Sequence, residues 1–448
     1  MISNMKFFAI AAVMTAALCL TTAVSAQKPD EILATSTGHK YTLNDLSPEI
    51  REQAANMPAL IKKARTAVLD EMLSSRALQL EAAAQNLTPG KLIANTRAKV
   101  PAPSEAEIKA VYDKNKDSLG DATLEQLRER IVAFLRGPAE QKAVQDLAIA
   151  LRTKYKAAAG KDVNSPNLAA TDVVGTVGGQ PITTAQYDRF SAFELYTVKA
   201  DISDQILNDL DDTIFNTIVA DEARSLNLDS STFLGREVTD KMKDFTDKER
   251  SDLTMALASR LKDKYKVTLT YKVPEPPVEQ VSVESSPSQG AAGSPVTIVM
   301  FSDFQCSACS GTHPLLKQAM AEYAGKIRFV VRNFPLESLH PQSMLAARAA
   351  AAANAQGKFF EFIEVLYKNQ TALEEASLKK YAADAGLNAA QFEIDFNSAK
   401  TLAAIKKDID DGESLNINST PTIFVNGRRA ELFSLDGFKA AIDRALKK

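Results

Sequence analysis

Two cysteines separated by two residues constrain this chain more than any other feature. Cys306 and Cys309 follow the run Val296–Phe301, which is rich in apolar and β-branched residues, and they precede a helical pattern that continues through Met320. The order predicts a buried strand, a turn and a helix that starts at the first cysteine. Free amides and the helix dipole at such a start stabilise a thiolate. The second sulfur is one turn away, within reach of a readily exchanged disulfide.

Two other interpretations of the pair are weaker. A zinc site needs about four ligands, and the chain offers three cysteines and three histidines without suitable spacing for two further ligands. A purely structural disulfide would close a very short loop, where the entropic gain is smallest. We therefore expect a redox-active pair that requires neither a metal nor an organic cofactor.

The N-terminus reads as a secretory signal peptide over residues 1–26. Lys6 supplies the positive charge, Phe7–Leu20 is apolar, and residues 23–26 end in an Ala-x-Ala-like pattern. The apolar run is short for a membrane anchor, which needs about 20 residues. Leu18 stands before Cys19, where a lipoprotein signal requires a small residue. We expect an exported, periplasmic chain whose remaining two cysteines meet an oxidising compartment.

The stretch from about 31 to 272 contains a divergent repeat. It predicts a tandem pair of helical modules, residues 27–160 and 170–273, of which the second has lost a segment. Capping boxes are expected at Thr183 with Gln186 and, more weakly, at Thr42 with Asp45. The matching segments are 36–43 with 176–183, 81–87 with 222–228, and 151–156 with 261–266.

Each copy resembles the N-terminal chaperone segment of SurA and related periplasmic prolyl isomerases. The shared features are a V-G-x-x-x-I-T pattern, here within Val177–Thr184, and a long helix pattern, here over Leu69–Leu87 and Ile206–Leu228. A parvulin-type catalytic domain is not visible, so prolyl isomerase activity is not implied. The resemblance implies binding of unfolded clients, or formation of a homo-oligomer through these modules.

Residues 274–294 are rich in Pro, Ser and Gly and predict a semi-extended linker. The domain that follows, residues 295–448, resembles the DsbA family, in particular its thioredoxin-4 branch. The motifs that carry the resemblance are the cysteine pair with residues 301–309, Pro314, residues 332–341 with "R-N-F-P-L…H-P", residues 356–360 with "Q-G-K-F-F", and residues 420–427 with "T-P-T-I-F-V-N-G". The predicted fold class is therefore multidomain: mainly α-helical tandem modules, then an α/β thioredoxin-like fold with a helical insertion at about 340–412.

The resemblance also implies roles for individual residues. Cys306 would be the nucleophile and Cys309 the resolving cysteine. Pro421 would form a cis peptide bond, and the backbone of Thr420 before it would pair with a client strand. His313 and His340 are assigned structural rather than catalytic roles. Helices are expected in the insertion at Gly357–Lys368, Ser377–Ala385 and Ala389–Asp411.

The implied activity is thiol–disulfide exchange with cysteines of folding client proteins and with a membrane redox partner. Nucleic acid is not an expected partner, because the net charge is only -3, from 53 Lys and Arg against 56 Asp and Glu. The direction of electron flow stays open. An isomerase or reductase is one alternative, and a holdase chaperone with a secondary redox domain is another.

The residues between the cysteines predict a moderate redox potential. Ser307 and Ala308 provide no cation inside the motif, so the thiolate is stabilised mainly by the helix start. We expect equilibration in glutathione buffers to give a potential less oxidising than the roughly -120 mV of the DsbA extreme. A value as high as about -120 mV would contradict this prediction.

Overall fold

The computed structural model describes residues 29–284, 286–430 and 434–447. The predicted signal peptide and Cys19 lie outside these residues. The predicted fold class is confirmed, since helices with two small sheets are followed by an α/β domain of thioredoxin type. None of the helices in the described ranges combines the length and apolarity needed to cross a lipid bilayer.

The N-terminal part is built from long helices and short strands. Thr183 caps the longest helix and forms the predicted capping box with Gln186. The Thr42 amide likewise donates to the Asp45 carboxylate at 2.7 Å. The elements of this part are β1 Ile32–Ser36, β2 His39–Thr42, α1 Pro48–Ala84, α2 Pro89–Ala98, α3 Glu105–Asn115, α4 Leu124–Lys154, β3 Ala158–Ala159, β4 Val173–Val177, β5 Gln180–Thr183, α5 Thr184–Ser225, α6 Ser230–Glu237, α7 Asp247–Lys264 and β6 Thr268–Leu269, with 3-10 turns at Leu43–Asp45, Lys116–Ser118 and Thr239–Lys241.

The two sequence copies exchange strands. The β1–β2 hairpin that opens the first copy pairs with β6 at the end of the second, where Ala34 faces Leu269. The β4–β5 hairpin that opens the second copy pairs with β3 at the end of the first, where Ala158 faces Thr176. Each small sheet is thus completed by the other copy.

Each hydrophobic core also combines residues of both copies. Leu33 of the first copy packs with Ile206 and Leu261 of the second, whereas Val174 of the second copy packs with Leu73 and Leu151 of the first. Within the described residues, the predicted modules 27–160 and 170–273 therefore share their sheets and cores. The physical reason is that each short hairpin needs a third strand and a helical face to bury its apolar side.

Equivalent polar contacts occur at matching positions of the two sequence copies. Glu81 accepts hydrogen bonds from Lys154 and Tyr155. Glu222 accepts the same bonds from Lys264 and Tyr265. The copies differ between these points, because α2 and α3 in the first copy lie where the second has the single short helix α6 and a 3-10 turn.

The predicted linker lies against the C-terminal domain. The Glu279 amide donates to the Gly427 carbonyl at 2.8 Å, and Val278 forms an isolated bridge with Arg428. Further along, the strand Ser288–Gln289 pairs antiparallel with Phe329 and Val330. An extended segment can satisfy the unpaired backbone groups of edge strands, which explains why it is bound to the domain.

The C-terminal domain contains, in the described residues, a sheet in the order β11-β10-β8-β9-β7. Strands β8 and β9 run parallel and β10 runs antiparallel to β8, so the cysteine motif follows the carboxyl end of a central strand. Its elements are β7 Ser288–Gln289, β8 Val296–Ser302, α8 Ser307–Glu322, β9 Ile327–Asn333, α9 Ser343–Ala355, α10 Phe359–Lys368, α11 Glu375–Asp384, α12 Ala389–Phe396, α13 Ala399–Ser414, β10 Thr422–Val425, β11 Arg428–Ala430 and α14 Leu435–Leu446.

Both faces of the sheet are covered. Ile298 and Met300 of β8 face the cluster that contains α8, α9 and α10, whereas Val299 and Phe301 face Ile405 on α13. The helix expected at Ala389–Asp411 is in fact two helices, α12 and α13. The helix is interrupted before Ser398. The Ser398 hydroxyl accepts a hydrogen bond from the Thr401 backbone amide and so caps a new helix.

The strand exchange makes a reciprocal prediction about stability. Leu33→Ala removes a fully buried side chain and should cost about 2 to 5 kcal/mol. Hydrogen exchange should accelerate in α7 and the distal half of α5, within the second copy. The equivalent substitution in the other hairpin, Val174→Ala, should accelerate exchange in α1 and α4 instead. If hydrogen exchange became faster only in the sequence copy that carries the substitution, the pairing of strands between the copies would be contradicted.

Candidate redox site

The strand–turn–helix order predicted for the motif is present. Cys306 is the N-cap residue of α8, with φ -77° and ψ 122°. The turn before it is held by Asp303, whose carbonyl accepts from the Cys306 amide at 3.1 Å and whose carboxylate accepts from the Gln305 amide at 2.8 Å. Cys306 keeps 8% of its surface exposed and Cys309 keeps none. The sulfur at the helix start is therefore the one that solvent can reach.

The two thiols differ strongly in acidity. Hydrogen bonds from the Cys309 thiol and from the amides of Cys309 and Ala308 lower the pKa of Cys306 to about 5. Burial raises the pKa of Cys309 well above its usual value, and the neighbouring Cys306 adds to that rise. Both cysteines are free thiols here. The arrangement yields a Cys306 thiolate at neutral pH beside a protonated Cys309 that donates to it.

The loop before β10 lies next to the nucleophile. The Thr420–Pro421 peptide bond is cis, as predicted, and the Thr420 carbonyl oxygen is 3.4 Å from the Cys306 sulfur. Thr422, the next residue, pairs with Phe301 of β8. Because β8 leads directly into the motif, this pairing places the cis-proline loop beside the sulfurs.

The helical insertion holds the motif turn through glutamine side chains. The Gln370 amide group donates to the carbonyls of Phe304 at 3.0 Å and Cys306 at 2.8 Å. The Gln305 side-chain oxygen accepts a hydrogen bond from the backbone amide of Gln342 at 2.8 Å. The sequence alone did not identify these residues, since a glutamine in a loop carries no signal until the fold brings it to the turn.

A buried tyrosine lies behind the second cysteine. The Tyr367 hydroxyl is 2.7 Å from the Ser302 hydroxyl, and its ring packs against Phe304 at 5.6 Å between centroids. Burial raises the pKa of Tyr367 well above its usual value, with the charge of Cys309 as a further cause. This tyrosine therefore stays neutral and seals the inner side of the site.

The two histidines have different surroundings. His313 is buried, its Nε2 atom is 3.0 Å from Glu364 and its ring packs against Tyr367. Burial lowers the pKa of His313, so it fits the structural role expected for it. His340 instead has its Nδ1 atom 2.7 Å from the fully buried Asp303 carboxylate in the motif turn. Its assignment to packing alone is therefore too narrow.

A metal centre has no counterpart in the part of the chain that the structure describes, where no group of three or more His, Cys, Asp or Glu side chains is placed to hold an ion.

Comparison with known families agrees with the C-terminal fold. Residues 282–444 match the thioredoxin family. This match and the observed topology support the predicted domain of thioredoxin type at the C-terminus. The match does not extend to the interlocked helical part, whose resemblance to SurA stays a prediction.

Individual relatives cover the same region. A protein of Mycolicibacterium gilvum named Na(+)/H(+) antiporter NhaA 1 is 34% identical over 171 residues, which is 37% of this chain and 28% of that protein. The chain thus spans little more than a quarter of the length of the curated relatives it matches.

Two solved structures also align with this region. A thioredoxin-like oxidoreductase from Silicibacter pomeroyi DSS-3 has 28% identity and a TM-score of 0.34, covering 37% of this chain and 94% of that one. Oxidised BdbD from Bacillus subtilis has 24% identity and a TM-score of 0.35, covering 39% and 100%.

The lowered pKa of Cys306 predicts how stability depends on pH. The folded pKa of about 5 lies below the value of about 8.5 expected when the chain is unfolded. The thiolate therefore stabilises the dithiol form fully above about pH 8.5, and this contribution is lost as the pH falls through the folded value. Thermal unfolding of dithiol and disulfide forms should show the stability of the dithiol form increasing relative to that of the disulfide form between about pH 5 and about pH 8.5. Above this range the raised pKa of Cys309 acts in the opposite sense. A difference that stays flat or shrinks between about pH 5 and about pH 8.5 would refute the thiolate assignment.

Proposed function

We propose that this chain is an exported thiol–disulfide oxidoreductase that acts on cysteines of folding proteins through the Cys306–Cys309 pair. The observation that carries the proposal is an accessible sulfur with a lowered pKa at a helix start, next to the cis Thr420–Pro421 bond. A second, buried thiol lies within hydrogen-bond reach of the first. Attack and resolution by two such sulfurs are the two steps of disulfide exchange.

The exchange balances in atoms and electrons. A client thiolate attacks the Cys306 sulfur of the enzyme disulfide, and Cys309 leaves as a thiolate that takes up a proton. A second client thiolate then attacks the client sulfur of the mixed disulfide and releases Cys306 as a thiolate. Two client thiols become one disulfide, and the enzyme gains two electrons. The backbone of Thr420, beside Cys306, is the proposed contact for the client strand.

The acidity of Cys306 favours oxidation as the direction. A stabilised thiolate stabilises the reduced enzyme, so the disulfide form becomes a better oxidant. The pKa of about 5 lies between about 7 in thioredoxin and about 3.5 in DsbA. An intermediate potential, less oxidising than the DsbA extreme, follows from this position.

The cellular setting is part of the same proposal. Residues 1–26 would direct the chain to the periplasm, where a membrane redox partner would reoxidise the pair. The interlocked helical part would hold unfolded clients or bring two chains together. These roles rest on the sequence patterns described above, and the redox chemistry does not depend on them.

The catalytic proposal predicts different effects for the two cysteines. Cys306→Ala should abolish oxidation of a reduced test protein, because the attacked sulfur is gone. Cys309→Ala cannot form the enzyme disulfide and should lose oxidation as well. Its Cys306 thiolate should still attack a disulfide-bonded test protein, and the mixed disulfide should accumulate because the resolving thiol is missing. Turnover and non-reducing electrophoresis measure the two effects.

A matched alanine variant separates chemistry from folding. Ser251→Ala changes an exposed position on α7 and should keep full activity. Oxidation that persists in Cys306→Ala would exclude the proposed enzyme, and equal mixed-disulfide levels in both cysteine variants would exclude the assigned roles.

A further inference from the structure

One short loop joins the helical part to the redox site. It runs from Phe334 to His340, between β9 and α9. At its outer side the Thr88 hydroxyl hydrogen-bonds to the Glu337 carboxylate, and Arg97 donates to the Ser338 carbonyl at 2.9 Å. We refer to these two hydrogen bonds as the α2 contact, since Thr88 caps α2 and Arg97 lies in it.

The α2 contact is part of a braced structure. Arg136 of α4 donates to the Arg97 carbonyl at 2.9 Å and to the Val100 carbonyl at 3.1 Å, so the end of α2 is tied to the long helix behind it. Glu337 is partly buried, and this burial raises its pKa. A carboxyl group that is costly to bury without a partner receives its hydrogen bond from the helical part.

The inner side of the loop holds the motif turn. The fully buried Asp303 carboxylate accepts from the Leu336 amide at 2.9 Å and pairs with His340 at 2.7 Å. The His340 amide in turn donates to the Leu336 carbonyl at 2.8 Å. The position of the imidazole is therefore set by the loop that the α2 contact holds.

The surroundings of His340 favour its protonated form. Its hydrogen bond to Asp303 raises the pKa of His340, and the charges of Asp303 and Cys306 add to that rise. Electrostatic coupling is reciprocal, so a charged His340 favours the Cys306 thiolate. When protonated, His340 supplies from the 334–340 loop the positive charge that the motif lacks between its cysteines.

We propose that Thr88 and Arg97 are positioning residues for the redox site: by holding the 334–340 loop they keep His340 on Asp303 and so stabilise the Cys306 thiolate. The inference rests on the proposed role of Cys306 as the nucleophile. It also gives a role to the segment that the first repeat copy has and the second lacks, since α2 belongs to it.

The test is a thiolate titration of the full-length reduced protein by ultraviolet absorbance. His340→Asn retains a side-chain donor near Asp303 and removes the titrating charge. It should raise the Cys306 midpoint by about half a pH unit or more, which lowers the alkylation rate near pH 5 at least about twofold. Thr88→Val with Arg97→Gln should shift the midpoint in the same direction by a smaller amount.

Further variants separate positioning from folding. Thr88→Asp keeps a good helix cap while repelling Glu337, and should reproduce the shift of the double variant. In the His340→Asn background the α2 substitutions should add nothing. The matched control, Thr123→Val with Arg128→Gln, changes another helix cap and arginine of the same part and should titrate as wild type.

The outcomes bear on the two proposals separately. The inference would be overturned if the Cys306 midpoint kept its wild-type value both in Thr88→Val with Arg97→Gln and in Thr88→Asp. It would also be overturned if His340→Asn left the Cys306 midpoint unchanged. A midpoint shift in the Thr88 variants that persists undiminished in the His340→Asn background would also overturn it. The titration needs no turnover, so loss of the proposed oxidase activity would leave its result readable.

Discussion

The hydrogen bond between the Cys309 thiol and the Cys306 sulfur is the interaction on which the rest of the site depends. It requires one sulfur at the helix start and the other buried one turn further on. The parallel pairing of β8 with β9 and the antiparallel pairing with β10 bring the motif and the cis-proline loop to one edge of the sheet. Gln370 and Asp303 then hold the turn from two sides. The surrounding domain positions the groups that stabilise the negative charge on the Cys306 sulfur.

The helical part is organised by a different constraint. Its hairpins are too short to be stable alone, and each is completed by a strand and a helical face of the other copy. Strand β1 of the first copy and strand β6 at the end of the second copy therefore lie in one sheet. Helices α1 and α2 of this interlocked body also reach the redox domain, through Gln79 to Glu413 at 2.7 Å and through Arg97 to the Ser338 carbonyl. The two parts of the chain thus contact each other at α13 and at the 334–340 loop.

Local sequence signals predicted the parts of the fold that local physics determines. The β8 strand, the helix start at Cys306 and the Thr183 capping box all follow from residue types at short spacing. The cis Thr420–Pro421 bond was instead implied by the family resemblance. Contacts between distant segments escaped prediction, because backbone pairing at a sheet edge leaves little trace in side-chain type. The bound segment 274–294, the exchanged hairpins and the His340–Asp303 pair are of this kind. The break at Ser398 was missed because one capping hydroxyl interrupts an otherwise continuous helical pattern.

The central claim is that Cys306 and Cys309 form an oxidising pair whose acidic thiolate stabilises the reduced form. The most direct measurement is the redox state of the pair inside cells, obtained by acid quenching, alkylation of free thiols and mass spectrometry. The account predicts that most molecules carry the Cys306–Cys309 disulfide, ready to accept electrons from clients. Finding both thiols alkylated in nearly every molecule would contradict oxidation as the direction and place the chain with reductases or isomerases.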